Sequence, residues 1–425
     1  MSESKTSFFR QSGWLVIATV GGGAFMTLVQ ILAGAFMQPA EWGVFFTLLR
    51  VTMLLGIPAG GLQTVFAQQA AAAFSEEERR QLTATTRGVL RWTLAIWAVF
   101  VLGTWLLSDV ILASLKIQNP AAMWMTAMLG LTTLWLPEVR GLLQGKQDFR
   151  GLGWTLILDG AGRFGVAIAL VILLHGQAAA GMTSAFLGQV FALVVGAWLT
   201  KDIWLGTGAP VNWKPWIRRV VPLTLATGAL LVLQHTDSIF VQSLFDKETS
   251  PLYMAGVVVG FALVQFTSPI AAVMFPKIAR STARSETTDA LRLTLLGTAA
   301  LGGLAAVAAT LLPELPLKIL YFRKFEFYVQ AAPLVRWFVW CMLAVTLTNV
   351  LVTNLLARER YEIVPWLVLI AGGYVIALLA QTPALVEMQP FAALTRVVQT
   401  LGLSSLILFA LAAWFVWGKR GKPKP

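Results

Sequence analysis

The sequence predicts an all-α integral membrane protein of about twelve transmembrane helices, arranged as two six-helix lobes. Three observations predict it: the composition, the recurrence of long apolar runs, and a repeat at half the chain length. Hydrophobic residues make up 57% of the 425 residues and charged residues only 12%. Soluble domains carry about 25% charged residues, so this inventory cannot build a water-facing surface. Backbone amides cannot stay unpaired in hydrocarbon, which restricts spanning structures to helices or closed barrels. The apolar runs are continuous, without strand-like alternation, and so select helices.

In chain order, the first six spans fall near 14–36, 42–67, 88–113, 122–143, 154–174 and 182–199. The second six fall near 220–244, 253–275, 291–312, 333–356, 363–380 and 391–417. Each run is long enough to cross, or nearly cross, a hydrocarbon core about 30 Å thick. Trp14, Trp42, Trp154, Trp216, Trp366, Trp414 and Trp417 stand at span ends, where interfacial anchors belong.

The termini and the connections after even-numbered spans hold 23 of the 32 Lys and Arg residues. Among them are Arg79, Arg80, Arg87, Arg91, Arg140, Lys146, Arg150, Lys214, Arg218, Arg219, Lys277, Arg280, Arg284 and the tail lysines. The opposite side holds Lys116, Lys247, Lys318, Arg323 and Lys324. This asymmetry places both termini in the cytoplasm and the chain in the cytoplasmic (inner) membrane. The net charge of +12 is then a topology signal and calls for no nucleic-acid partner. The one cysteine, Cys341, excludes an internal disulfide and a Cys-based metal site. The first apolar segment is too long for a signal-peptide core and reads as a retained helix.

Polar connections are short. SEEERR (75–80) reads as a solvated cytoplasmic loop, and LYFRKFEFY (320–328) as an amphipathic helix along the outer interface. An internal repeat links LLQGKQDF (142–149), after the fourth span, with LLARERYE (355–362), after the tenth, at an offset of 213. Gly43-Val44 and Gly256-Val257 recur at the same offset, and small-residue patches at 161–170 and 371–379 follow. Duplication therefore divides the chain into lobes 1–213 and 214–425. Six spans is an even number, so the repeat is parallel, and the substrate path is expected between the lobes.

Charged residues inside spans cost about 2.5–3.5 kcal/mol each on insertion scales, so each requires a reason. Arg50 lies in the second span, with Thr47 one turn earlier and Gly56, Pro58, Gly60 and Gly61 after it. A Gly/Pro-rich half-helix lines a cavity more readily than lipid, which makes Arg50 a candidate cavity cation. Asp159 and Arg163, four apart in the fifth span, form an intrahelical pair with or without a role in the cavity. In the seventh span Thr227, Gln234, Asp237 and Ser238 share a face, with His235 beside it. Asp159, Asp237 and His235 are the candidates for proton or sodium coupling. Arg336 and Arg396 lie near outer span ends, where a long side chain snorkels easily, and are further cavity candidates. Four in-span arginines against two aspartates favour an anionic cargo, because a guanidinium fork matches phosphate geometry. No GxxxxGK[ST] loop occurs, so transport by that route of ATP hydrolysis is excluded. No metal or Ser/His/Asp constellation is present, and the chain calls for no cofactor. The oligomeric state is open, a monomer being compatible with this plan.

The repeat, LLQGKQDF, LLARERYE and FTSPIAAVMFPKIARS (266–281) resemble bacterial polysaccharide exporters. The family is the oligosaccharide, or O-antigen, flippases of the multidrug/oligosaccharidyl-lipid/polysaccharide exporter superfamily. The stretch LKILYFRKFEFYVQAAPLVR (317–336) is similar to that family's connection between spans nine and ten. The resemblance extends over essentially the whole chain. It implies a MATE-like V-shaped pair of lobes working by alternating access. It also implies an undecaprenyl-diphosphate-linked oligosaccharide as cargo, whose lipid tail stays in the bilayer. Arg50 best matches the basic cavity residues that the family needs. Three alternatives stay open. Multidrug and toxin cation antiporters share the twelve-span plan but would use buried acids. Peptidoglycan-precursor flippases carry two further C-terminal spans. A membrane glycosyltransferase or polymerase would need larger or more acidic outer loops than Met37–Glu41 offers.

Overall fold

The computed structural model describes residues 2–211, 213–265, 290–358 and 360–418. The motif at 266–281, with Lys277, Arg280 and Arg284, and the tail lysines from Lys419 onward lie outside the described residues. Among the described residues every regular element is helical. Packing divides the chain into two compact units, Met1–Thr227 and Gly228–Pro425.

The first unit begins with α1 (Ser2–Phe36) and the pair α2 (Pro39–Leu55) and α3 (Ala59–Ala72). It continues through α4 (Glu76–Leu106), α5 (Ser108–Ser114), α6 (Pro120–Gly145), α7 (Phe149–Ala167), α8 (Ala178–Leu199) and α9 (Lys201–Trp204). The next helix, α10 (Trp213–Leu244), runs across the boundary. The second unit holds α11 (Thr249–Gln265), α12 (Ala290–Leu311), α13 (Glu314–Leu320), α14 (Phe325–Tyr328) and α15 (Ala332–Ala357). It closes with α16 (Val364–Ala380), α17 (Thr382–Glu387) and α18 (Pro390–Ala413).

Each of the twelve expected spans is largely helical over its described residues, the second being broken at 56–58. Nine helices among the described residues are long and apolar enough to cross a membrane singly, and the bent pair α2–α3 makes a tenth. The other two are α6, whose apolar run is interrupted by Pro137-Glu138-Val139-Arg140, and α11.

The bend in the second span measures 48° and falls at Gly56-Ile57-Pro58. Pro58 has no N–H to continue the ladder. Tight turns keep the chain bonded: Ile57 N donates to the Leu54 carbonyl and Ala59 N to the Gly56 carbonyl.

In the first unit α6 is central, packed along α3 and α8, while α7 packs on α1 and α8. In hydrocarbon, helices associate through close packing of small residues rather than through expulsion of water. Glycines make this possible here. A Cβ at Gly160 would lie 2.5 Å from the Gly22 carbonyl oxygen, and one at Gly141 2.5 Å from that of Gln63. In the second unit α15 is central, against α12 and α18. The Tyr253 and Phe338 rings meet edge to face at 5.0 Å between α11 and α15.

Three local expectations change. SEEERR is the capped start of α4: Ser75 Oγ accepts from Glu78 N, and Glu78 Oε2 accepts from Ser75 N at 2.8 Å. Glu76, Glu77 and Glu78 then sit at the positive end of the helix dipole. The outer segment 320–328 is not one amphipathic helix. It breaks between α13 and α14, and the Tyr321 and Tyr328 rings stack at 4.0 Å in a buried position. Trp42 is no interfacial anchor: it is 1% exposed and stacked on Phe46.

Candidate substrate and coupling site

The ionic centre of the first unit is built on α7. Asp148 caps this helix by accepting from Gly151 N at 2.9 Å, and about three turns later Asp159 points into the unit. Arg163 Nε donates to Asp159 Oδ1 at 2.7 Å, as the four-residue spacing predicts. Arg140 of α6 donates through Nη2 to Asp159 Oδ2 at 3.1 Å. The same Nη2 reaches the Thr155 carbonyl at 3.0 Å. The side chains of Asp159, Arg163 and Arg140 are 3%, 11% and 15% exposed. On α8, a Cβ at Gly188 would lie 2.7 Å from the Asp159 carbonyl and collide with Arg163 Cγ. A glycine there lets the arginine pass. The result is a buried Arg–Asp–Arg group carrying one more positive than negative charge.

Arg140 is a correction to the sequence reading, which grouped it with the cytoplasmic loops. The helix continues to Gly145, so Arg140 lies inside α6 and turns toward the acid of the next helix. Glu138 was missed altogether, although it sits inside an apolar run. It is fully buried, and neither of its carboxylate oxygens has a hydrogen-bond partner among the described residues. The signal was the Pro-Glu-Val-Arg interruption of the fourth span. Adding Glu138 and Arg140 to the in-span list leaves the surplus of arginine unchanged.

Arg50 is buried in α2, one and a half turns before the bend, with its guanidinium 4.3 Å above the Phe46 ring. Cation–π stacking of this kind holds a guanidinium by its flat face. A polar link joins α6 to α8 nearby in the fold: Gln189 Oε1 accepts from Thr132 at 2.7 Å and from Thr133 at 3.1 Å.

In the second unit Asp237 is buried, and Tyr253 donates its hydroxyl to Asp237 Oδ2 at 2.8 Å. His235 is also buried, its ring 5.7 Å from that of Phe261. Arg336 is exposed on α15 beside the exposed Trp337 and Trp340. Arg396 is exposed on α18 and donates to Gln381 Oε1 at 3.1 Å. Of the residues singled out in the sequence, the structure thus joins Asp159 with Arg163 and recruits Arg140 to them. Arg336 and Arg396 stand apart on exposed faces. No group of three or more His, Cys, Asp or Glu side chains suited to a metal occurs among the described residues.

No protein-family model matches the chain, and no curated protein sequence does. Solved structures do. The chain is similar to an inward-facing multidrug resistance MATE family transporter of the MOP superfamily: TM-score 0.74, 10% identity, 94% of each chain covered. It is similar to the lipid II flippase MurJ in an inward closed conformation: TM-score 0.71, 12% identity, 95% of this chain and 87% of that one. It is also similar to a MOP superfamily transporter from Pyrococcus furiosus, described as having a binding pocket of reverse polarity: TM-score 0.63, 11% identity, coverage 97% and 96%. Shared architecture over nearly the full length, at this identity, establishes that the chain has the MATE-like membrane-transporter fold.

Proposed function

We propose that this chain is a secondary transporter that flips a lipid-linked oligosaccharide, of undecaprenyl-diphosphate type, across the cytoplasmic membrane for surface polysaccharide synthesis. The chain works by alternating access with lobes 1–213 and 214–425, and both termini are cytoplasmic. The observation that carries this reading is the buried Arg140–Asp159–Arg163 group of the first unit, in which two guanidinium groups share one acid. Asp159 is matched by two arginines, Arg140 and Arg163, and Arg50 adds a third buried cation. A guanidinium presents a rigid fork of donors that fits phosphate oxygens, and its charge is permanent. A diphosphate headgroup matches the one positive charge by which Arg140 and Arg163 exceed Asp159. The residues quoted for the exporter resemblance support the same cargo. Arg336 and Arg396, exposed near span ends, serve as entry or exit contacts for the headgroup. Asp159, Asp237 and His235 are the coupling candidates by residue type.

A second reading, a multidrug or toxin cation antiporter, is favoured by one observation: Glu138 is a fully buried acid whose carboxylate has no hydrogen-bond partner among the described residues. The two readings separate in cells. Deleting the protein should abolish surface polysaccharide while leaving tolerance to cationic dyes unchanged. Loss of dye tolerance with normal polysaccharide would favour the antiporter.

A further inference from the structure

We propose that Glu138 is a proton-exchange site coupled to movement of the bent second span. The proposal deepens the transporter reading and rests on it.

Four buried acids can be compared. Glu41 accepts the backbone N–H of Ala178 at 3.1 Å. Asp159 is held by two guanidinium groups and Asp237 by the Tyr253 hydroxyl. Among the described residues Glu138 has neither donor nor ion-pair partner, yet it is fully enclosed. Buried polar groups without partners are rare and ask for a reason, and an ionisable one inside a span asks most strongly.

The helices around α6 explain the isolation. α3 and α8 contain no titratable side chain at all. α2 brings Glu41 and Arg50, the first tied to Ala178 and the second stacked on Phe46. On α4, Arg87 is turned to the carbonyls of Trp204 and Gly206, while Arg91 and the charged first turns are exposed. On α7, Arg150 is exposed, and Asp159 and Arg163 are joined to Arg140. A metal cation would need several oxygen ligands at such a position. A proton needs one.

The location supplies the coupling. Thr133 and Gly141 bracket Glu138 on α6. A Cβ at Gly56 would lie 2.9 Å from Thr133 Cγ2, and a Cβ at Gly141 would lie 2.5 Å from the Gln63 carbonyl. Gly56 and Gln63 in turn bracket the break at Ile57–Pro58. Glu138 therefore sits on the stretch of α6 against which the bend presses. Pro137 leaves the Thr133 carbonyl without its usual helical donor, so this stretch of α6 is itself less stiff. One turn beyond Glu138, Leu142 packs in one cluster with Leu62 and Val89. Those two line a cavity of about 540 Å³ together with Pro58 and Trp92. Parting of α3 from α6 opens the carboxyl group toward that cavity, where it exchanges its proton. Closure encloses it again. Arg50, on the other arm of the bend, links the same movement to the anionic cargo.

Two readouts test this in the full-length protein reconstituted in vesicles. In infrared difference spectra against pH, wild type should show the carbonyl stretch of a titrating carboxylic acid, and Glu138→Gln should lack it. A proton gradient should speed flipping of a fluorophore-tagged polyprenyl-diphosphate glycan roughly tenfold in wild type. In Glu138→Gln the gradient should have no effect, while exchange without a gradient persists. If that variant fails to fold, Glu138→Asp carries the test, because its carboxyl band should shift. A band unchanged in these variants, gradient-driven flipping retained by Glu138→Gln, or sodium replacing the proton would overturn the proposal. If wild type flips no glycan, the cargo reading fails, and the infrared band still decides Glu138.

Discussion

Arg140 and Asp159, nineteen residues apart on consecutive helices, are joined by a 3.1 Å hydrogen bond between Nη2 and Oδ2 inside the first unit. The bond converts a local helix pair, Asp159 with Arg163, into a link between α6 and α7. It also changes the charge balance, since two cations now share one acid. Removing the acid is therefore worse than removing either base.

Asp159→Asn should destabilise the purified protein strongly, on the order of 3–5 kcal/mol, because two largely buried guanidinium groups lose their shared counter-charge. Arg140→Met should cost less, as Arg163 still matches Asp159. Thermal unfolding in detergent measures both. Equal midpoints for the two variants would contradict the shared-acid arrangement.

Arg50→Ala, at unchanged protein level, should stop surface-polysaccharide export, and Arg50→Lys should restore it in part. Lysine keeps the charge but loses the planar fork and its stacking on Phe46. Export measured in a deletion strain complemented with each variant decides the point. Full export with the alanine variant would remove Arg50 from the cargo path.

Gly160→Ala should separate α1 from α7, because the added methyl would meet the Gly22 carbonyl at 2.5 Å. Backbone cannot yield as a flexible side chain does, so a loss of about 1–3 kcal/mol is expected. Gly165→Ala, on the same helix with nothing within 4 Å, is the control and should be nearly silent. Equal unfolding midpoints for both would argue against the close crossing.

Tyr253→Phe removes the hydroxyl that binds Asp237 at 2.8 Å in a fully buried position. Leaving that carboxylate short of a donor should cost about 1–3 kcal/mol. The penalty should largely vanish when Tyr253→Phe is made on top of Asp237→Leu, and a double-mutant cycle on thermal stability measures this coupling. Full additivity would mean that the bond contributes nothing.

The fold was legible because its signal is repeated: each span is a long apolar run. What escaped the sequence were events between helices. Arg140 was read as a loop cation because it stands close to the end of an apolar run. Only the packing of α6 on α7 shows that it turns inward to Asp159. Glu138 was overlooked because one acid among twenty apolar neighbours barely changes a hydropathy profile. The charge block at 75–80 could have been read as helical, since Ser75 followed by Glu78 is a capping-box spacing. The Asp159–Arg163 pair was legible because four residues is a helical repeat. The Tyr253–Asp237 bond was not, because it joins two helices through a hydroxyl that sequence spacing does not mark.

The central claim is that the cargo is an anionic, lipid-linked glycan. The most direct measurement places the purified protein in vesicles whose outer leaflet carries a fluorophore-tagged polyprenyl-diphosphate oligosaccharide. Quenching by a membrane-impermeant reductant then reports how much tagged lipid has crossed. Wild type should protect a growing fraction of the label, and Arg50→Ala and Asp159→Asn should not. A cationic dye loaded into the same vesicles should not be moved. Transport of the dye with no protection of the glycan would contradict the account.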